Sequence, residues 1–265
     1  MKENQTKELK LLESRFIELS RTAYQREIIT YSDFLNLNEQ NILHTLPKEE
    51  LYTGYLSFGG YDLAERQMAA FIPDALYLRY GKKSLSEDEI GYPFSVLSVI
   101  PLNRKFAEVL SHRDYLGALL NLGIERSKLG DILITGDEAL VFAHNDMCDF
   151  ISSELTRVRH TMVRASRKEC ALKDYGPDFE EIRGTVASVR LDSLLPLAFS
   201  SSRTRLSGLI EGAKVFVNGR LVTRNGYQVQ EGDIISVRGM GKFRYDGTGQ
   251  RTRKNRIYVV IHKYV

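Results

Sequence analysis

Apolar residues near the N-terminus recur at the spacing of an α-helix, with charged residues between them. The four positions are Leu9, Leu12, Phe16 and Leu19. Such a stripe predicts an amphipathic first helix that packs on the rest of the protein. A second helical stretch is predicted between Asp33 and Pro47, because proline cannot continue a helix and ends it there.

The pattern changes from helical to extended at Leu51. Strands are predicted at 52–58, 75–80, 94–100, 131–135, 138–143 and 161–165, and helices at 62–71, 111–122 and 147–158. Asp62 and Ser111 are the predicted N-caps of the first two helices, and Gly136-Asp137 is the predicted hairpin turn. This alternation predicts a compact α+β domain with a mixed or antiparallel sheet.

A break at Tyr175-Gly176-Pro177 predicts a domain boundary. Beyond it we predict helices at 189–199 and 202–211, strands at 214–217, 228–230, 233–238 and 257–265, and a Gly- and Arg-rich loop at 239–256. Asn218-Gly219 is a predicted hairpin turn, since both residues tolerate positive φ. The expected domains are a helical segment at 1–48, an α+β domain at 49–178 and a small α+β domain at 182–265.

Composition places the chain among ordinary globular proteins. It has 265 residues, of which 43% are hydrophobic and 27% charged, enough for about two domains. No apolar run approaches the ~18 residues of a membrane-spanning helix. The polar N-terminus does not resemble a secretory signal, and two cysteines are too few for a disulfide framework. We therefore expect a cytoplasmic protein with no membrane partner.

Charge is distributed unevenly between the two parts of the chain. Residues 1–181 hold 22 Lys and Arg against 29 Asp and Glu, whereas residues 182–265 hold 15 against 5. A basic C-terminal part predicts that this end meets a polyanion such as RNA. The alternative is a basic surface that is merely solvated.

The predicted helix at 202–211 places its charges suitably for phosphate binding. Ser202 offers an N-cap hydroxyl, and Arg203 and Arg205 project from opposite edges of the apolar stripe. One guanidinium group can donate two parallel hydrogen bonds to the oxygens of a phosphate, and the N-terminus of a helix also favours anions. The candidate RNA contacts are Arg190, Arg203, Arg205, Lys214, Arg220, Arg224, Lys242, Arg244, Arg251 and Arg253. The alternative is pairing of some cations with Asp192, Glu211 or Asp233.

The predicted loop at 239–256 adds aromatic residues to these cations. Phe243 and Tyr245 are interleaved with Lys242 and Arg244. Such a segment could lie along phosphates and stack on an unpaired base. The alternative is a flexible basic loop with no fixed contact.

The C-terminal residues resemble the RNA-binding domain named after ribosomal small-subunit protein four, called the S4 domain below. The resemblance rests on Arg190-Leu191-Asp192, Ser202-Arg203-Thr204-Arg205, Val215-Phe216-Val217-Asn218-Gly219 and Glu231-Gly232-Asp233-Ile234-Ile235. Further motifs extend a resemblance to the bacterial YlmH family almost end to end. They are Phe34-Leu35, Glu39-Gln40, Phe58-Gly59-Gly60-Tyr61 and Leu129-Gly130-Asp131-Ile132.

The family resemblance implies RNA contacts, a fold and a function. By the resemblance to the S4 domain, the residues that contact RNA are Arg190, Ser202, Arg203, Arg205 and Lys214. The fold would be N-terminal helices with an RRM-like α/β sandwich, followed by the S4 domain. The function would be non-catalytic binding of rRNA and tRNA on the large ribosomal subunit, in quality control of stalled nascent chains. No octamer typical of a base-stacking RRM is present, so we expect the acidic N-terminal part to support, orient or bind protein. The alternative is direct RNA contact by this part. A division-linked interaction role stays open.

The sequence lacks the signature motifs of the enzyme families considered. Arg190-Leu191-Asp192 resembles the catalytic motif of pseudouridine synthases, but Asp192 is expected to cap or pair locally. Neither a phosphate-binding glycine loop nor the glycine spacing of a methyltransferase is found. His144 and Cys148 lie four residues apart without further metal ligands. We expect no cofactor and no metal, and the alternative is an RNA-modifying enzyme with an unrecognised N-terminal active site.

Overall fold

The structure is a computed structural model that describes residues 2–76, 86–168 and 179–264. It divides into two compact units, Met1–Gly176 and Pro177–Val265. The helices are α1 (Lys2–Arg26), α2 (Leu37–Thr45), α3 (Glu87–Ile90), α4 (His112–Asn121), α5 (Asn145–Glu154), α6 (Leu191–Phe199) and α7 (Arg203–Glu211). No helix in these residues is long and apolar enough to cross a membrane.

The strands of the first unit are β1 (Thr30–Tyr31), β2 (Gly54–Phe58), β3 (Met68–Ile72), β4 (Phe94–Pro101), β5 (Leu129–Thr135), β6 (Glu138–His144), β7 (Arg157–Val158) and β8 (Thr161–Arg167). Those of the second unit are β9 (Phe179–Val186), β10 (Val215–Val217), β11 (Arg220–Leu221), β12 (Ile234–Val237), β13 (Gly241–Arg251) and β14 (Ile257–Tyr264). This mixture of helices and antiparallel sheets confirms the predicted α+β class.

The middle of the first unit has the βαββαβ order of an RRM-like domain. Strands and helices follow one another as β4-α4-β5-β6-α5-β8, and the sheet order is β5-β6-β4-β8-β7 with every pairing antiparallel. Alternate strand residues face the two helices. Leu97, Val141, Leu119 and Ile151 are completely buried in the core that results.

A smaller sheet precedes the RRM-like domain and has the order β1-β3-β2. Helix α1 packs against it, and Phe16 lies 6.3 Å from Phe71 between ring centroids. The predicted helix at 62–71 is therefore wrong, because Met68–Ile72 form the central strand of this sheet. All five residues of that strand are buried, and a short continuous apolar run is typical of a strand covered on both faces.

Aromatic residues of the N-terminal segment pack against the RRM-like sheet on the face opposite its helices. Phe34 and Phe58 lie 5.2 and 6.1 Å from Phe94 on β4. Tyr61 lies 5.5 Å from Phe142 on β6, and Phe142 is completely buried. Gly60 permits this approach, because a Cβ there would lie 2.3 Å from the Phe142 ring. The aromatic positions of both central strands are therefore covered by the protein itself.

Polar contacts fasten the same segment to β5. Asp131 accepts hydrogen bonds from the Tyr61 hydroxyl at 2.6 Å and from the amides of Glu65 and Arg66 at 2.7 and 3.1 Å. The buried Arg66 guanidinium donates to the carbonyl of Phe34 at 2.7 Å. The motifs around Phe34, Tyr61 and Asp131 thus meet in one structural cluster.

The second unit has one antiparallel sheet with the order β11-β10-β12-β13-β14-β9, and both of its helices contribute to the core. The predicted helices at 189–199 and 202–211 are confirmed as α6 and α7. Asn218 and Gly219 both have positive φ, at 49° and 73°, which confirms the predicted turn between β10 and β11.

The predicted loop at 239–256 is wrong over Gly241–Arg251, which form β13 and pair with β14 in a long hairpin, whereas the strand predicted from Ile257 is confirmed as β14. Buried and partly exposed residues alternate along β13 from Lys242 to Gly247, which is the period of a strand. Phe243 and Tyr245 point into the core, so they cannot stack on a base as expected. Strand β9 was not predicted. It lies at the edge of the sheet, and its charged residues Glu180, Glu181 and Arg183 are exposed.

Other differences concern the ends of elements. The predicted helix at 147–158 ends at Glu154, and Arg157–Val158 form a short strand. Residues 228–230 form no named strand, although Gln228 makes an isolated bridge to Arg190. Residues 74–76 are helical, and the rest of the strand predicted at 75–80 lies outside the described residues, as does the predicted break at 175–177.

Candidate nucleic-acid interface

The starts of α6 and α7 are built from residues that cap helices. Arg190 is the N-cap residue of α6. Ser202 is the N-cap residue of α7, and its hydroxyl oxygen accepts a hydrogen bond from the Arg205 amide at 3.4 Å. Ser202, predicted as an RNA contact, therefore has a structural role in starting the helix.

Asp192 joins these two helix starts. Its carboxylate accepts hydrogen bonds from Arg190, at 3.1 Å from Nε and 2.9 Å from Nη2, and from the Arg203 guanidinium. The carboxylate side chain is 5% exposed, whereas Arg190 and Arg203 are 38% and 64% exposed. We call these three residues the arginine clamp. It presents two oriented guanidiniums with one net positive charge.

The pKa of Asp192 is lowered from its ordinary value. Burial of the carboxyl raises its pKa, but the hydrogen bonds from Arg190 and Arg203 outweigh this effect. The carboxylate is therefore ionised at neutral pH and holds both arginines. The expectation that Asp192 pairs locally is confirmed.

The loop at 224–228 packs against the clamp. The Leu191 amide donates to the Tyr227 carbonyl at 2.9 Å, and the Asp192 amide donates to the Asn225 carbonyl at 3.2 Å. A Cβ on Gly226 would lie 3.9 Å from the Arg190 guanidinium. The loop thus orients the clamp, and Arg224 is the first residue of this loop.

Further cations around the helices are exposed. Arg205 lies in the first turn of α7, Lys214 immediately precedes β10 and Arg224 lies in the loop. The described residues give no ion pair for these three side chains. Arg238, which was not among the predicted contacts, is added because its amide donates to the Lys214 carbonyl at 2.9 Å. Arg238 is the last residue of the strand predicted at 233–238, and its charge at the end of an apolar strand could have identified it.

Two of the acidic residues considered as partners for the cations form other contacts. Asp233 accepts from the Asn218 amide group at 2.8 Å, which fixes the β10–β11 turn that precedes Arg220. Glu211 accepts from the Asn225 side chain at 2.7 Å. In the described residues, the pairing alternative therefore holds for Asp192, which neutralises one of the two clamp arginines.

The side chains predicted to contact RNA from the β13–β14 hairpin differ in whether they have partners within the protein. Arg244 pairs with Asp246 beside it. Lys242 lies over the Tyr264 ring at 5.2 Å, and Arg251 donates to the Asn255 side chain at 2.7 Å. Arg253 is exposed.

Strand β9 brings acidic residues to this end of the sheet. Glu181 pairs with Arg183 at 2.6 Å, and Glu180 lies 3.8 Å from Lys263. Residues 177–265 therefore hold 15 Lys and Arg against 8 Asp and Glu, a smaller excess than residues 182–265 alone. Exposed cations lie around the two helices and the strand ends that follow them, and also at the tip of the β13–β14 hairpin.

Comparison with known families agrees with this location. The S4 domain family matches residues 189–235, which include the clamp, α7 and the loop. A second family, described as "Putative RNA-binding domain in YlmH", matches residues 92–171 and includes the RRM-like sheet. By these two matches, the chain is similar to proteins of the YlmH family that carry an S4 domain.

A curated relative supports the same assignment. The chain is 28% identical over 248 residues to ribosome-associated protein quality control protein P2 of Bacillus subtilis (strain 168), covering 93% of this chain and 92% of that protein. Among solved structures, it is similar to cell division protein ylmH from Streptococcus pneumoniae, with 18% identity and a TM-score of 0.46. That match covers 62% of this chain and 92% of the other.

The residues considered for metal binding have structural contacts. His144 is the N-cap residue of α5, and its ring accepts from the Asp146 amide at 3.3 Å. Cys148 is buried, and burial raises the pKa of its thiol, so it packs as a small apolar side chain. Within the described ranges, no group of three or more His, Cys, Asp or Glu residues could hold a metal ion.

Proposed function

We propose that this chain is a non-catalytic, cytoplasmic RNA-binding protein that acts on the large ribosomal subunit in quality control of stalled nascent chains. Its RNA partners would be rRNA and tRNA. The proposal is supported by the two RNA-binding domain families and by the name of the Bacillus relative.

The arginine clamp is the observation on which the proposal depends. One buried carboxylate fixes two guanidiniums at the starts of adjacent helices, so little side-chain entropy is lost when they meet phosphates. Arg205 and Arg224 add exposed charge from the same helix and the neighbouring loop. A rigid basic surface of this kind suits the backbone shape of structured RNA better than the sequence of a single strand.

The RRM-like sheet supports a division of labour between the units. An RNA-binding RRM stacks bases on aromatic residues of its central strands. Phe94 and Phe142 occupy such strands here, but Phe34, Phe58 and Tyr61 cover them. Stacking on this part of the sheet is blocked, so we propose that the S4 domain supplies the main contacts with structured RNA.

Cosedimentation with ribosomal subunits tests the proposal. We expect the full-length protein to migrate with large subunits in a sucrose gradient, and the double variant Arg205→Ala/Arg224→Ala to shift towards the top. Lys10→Ala/Arg26→Ala is the matched control, because it removes the same charge from exposed positions of α1. Absence of the wild type from subunit fractions at low and moderate salt would refute the ribosomal assignment.

A further inference from the structure

Positive charge is concentrated at one end of the RRM-like domain, within a unit that is acidic as a whole. Residues 1–176 hold 22 Lys and Arg against 26 Asp and Glu. Residues 102–114 and 157–164 reverse this balance with six Lys and Arg against two acidic residues. We call these two segments the loop end. Such local reversal favours an anionic partner at this place.

Three contacts join the two segments of the loop end, and a fourth joins the first segment to the β5–β6 turn. The Leu102 amide donates to the Met162 carbonyl at 2.9 Å, and the Glu108 amide donates to the Thr161 hydroxyl at 3.1 Å. Two ion pairs complete the arrangement: Arg159 with Asp114 at 3.6 Å and Arg104 with Asp137 at 3.9 Å. The loop after β4, the start of α4 and the β7–β8 turn therefore form one surface.

Phe106 gives this surface an exposed aromatic ring. It is 77% exposed on a short helical turn, directly after Arg104 and Lys105. The Lys105 ammonium lies 5.9 Å from the ring centroid. An exposed ring beside cations can stack on an unpaired base while the cations attract its phosphates.

A groove beside α4 collects three more arginines. Its lining includes Arg113, Arg157 and Arg159. Gly117 also lines the groove, and a Cβ on this residue would meet nothing within 4 Å. The groove holds about 510 Å³, which lies within the range of small-ligand sites. The described contacts pair Arg159 with Asp114 and give no ion pair for Arg113 or Arg157.

We propose that the loop end binds single-stranded RNA, with Phe106 stacking on an unpaired base and Arg113 and Arg157 contacting its phosphates. This second site is separate from the S4 domain and replaces the covered sheet face as the RNA contact of the RRM-like domain. The positive charge of the loop end distinguishes this partner from an apolar protein segment, which would have no need of a cation beside the ring or of arginines along the groove.

The test measures affinity of the full-length protein for a fluorescent single-stranded oligouridine of about 12 nucleotides. We expect Phe106→Ala to weaken binding by roughly 5- to 150-fold, the range for one lost stacking contact. Phe106→Tyr should retain the affinity, and Phe106→Leu should not, because leucine lacks an aromatic face. Phe150→Ala is the matched control, since Phe150 is another exposed phenylalanine of the same domain, on α5.

Three results would overturn the proposal. The first is equal oligouridine affinity for the wild type, Phe106→Ala and Phe150→Ala. The second is full affinity in Phe106→Leu, which would point to an apolar docking site for protein. The third is an equal loss of affinity for a structured hairpin RNA. That result would mean that Phe106→Ala acts through the S4 domain or through a folding defect. Melting curves of each variant identify a folding defect directly.

Discussion

A single carboxylate, Asp192, determines how two of the arginines are presented. Arg190 and Arg203 belong to different helices, and each bonds to the same buried group. The sequence could place both arginines near helix starts but could not show that they share a partner. That contact depends on how α6 and α7 pack, which no local pattern in the sequence encodes.

The clamp predicts a difference between Arg203 and Arg205. Arg203→Ala should lower both RNA affinity and melting temperature, because it removes a phosphate contact and one of the two partners of Asp192. Arg205→Ala should lower affinity with little change in melting temperature, since its side chain is exposed. Binding titrations and melting curves of both variants check this. Equal thermal effects would contradict the clamp.

The lowered pKa of Asp192 predicts a pH dependence of stability. Its pKa is lower in the folded than in the unfolded state, so the ionised carboxylate stabilises the fold above the ordinary aspartate value of about 3.9. This stability is lost as the pH falls through the folded-state value. Urea unfolding should therefore show Asp192→Asn destabilised by about 1–2 kcal/mol at neutral pH. A difference that did not shrink in acid would refute this assignment.

At the scale of elements, the sequence predicted the helices whose apolar residues recur at a clear period. It missed strands whose conformation depends on their place in a sheet. Helices α1, α6 and α7 carry apolar stripes, and each was predicted. The sequence predicts a helix at β3 because the five apolar residues of this strand show no alternation, and their burial on both faces depends on distant strands. Strand β13 does alternate, but its glycines and arginines favoured a loop.

Replacement of glycine by alanine should have opposite effects at two positions, Gly60 beside the covered sheet face and Gly117 inside α4. Gly60→Ala should cost roughly 2 kcal/mol or more, because Gly60 has a φ of +101° and its Cβ would collide with Phe142. Gly117→Ala should stabilise by about 0.5–1 kcal/mol, because this site is inside α4 with open space around it. Chemical denaturation of both variants measures the two signs. A neutral Gly60→Ala would mean that the N-terminal segment does not pack on the sheet.

At the scale of the whole molecule, the two units differ in charge. Residues 1–176 have an excess of four acidic residues, and residues 177–265 have an excess of seven basic ones. Long-range attraction to RNA should therefore come mainly from the second unit. The sequence count indicated the asymmetry but overstated it, because the acidic residues of β9 belong to the same sheet as the basic hairpin.

This asymmetry predicts which substitutions change the salt dependence of binding to structured RNA. Each phosphate contact contributes about 0.7–0.9 to the slope of log affinity against log salt concentration. The triple variant Arg205→Ala/Lys214→Ala/Arg224→Ala should thus lower the slope by roughly 2–3. Lys10→Ala/Arg26→Ala/Lys48→Ala removes the same charge from exposed positions of the acidic unit and should leave the slope unchanged. Equal losses in both triple variants would mean that net charge, rather than the surface around α7, determines RNA binding.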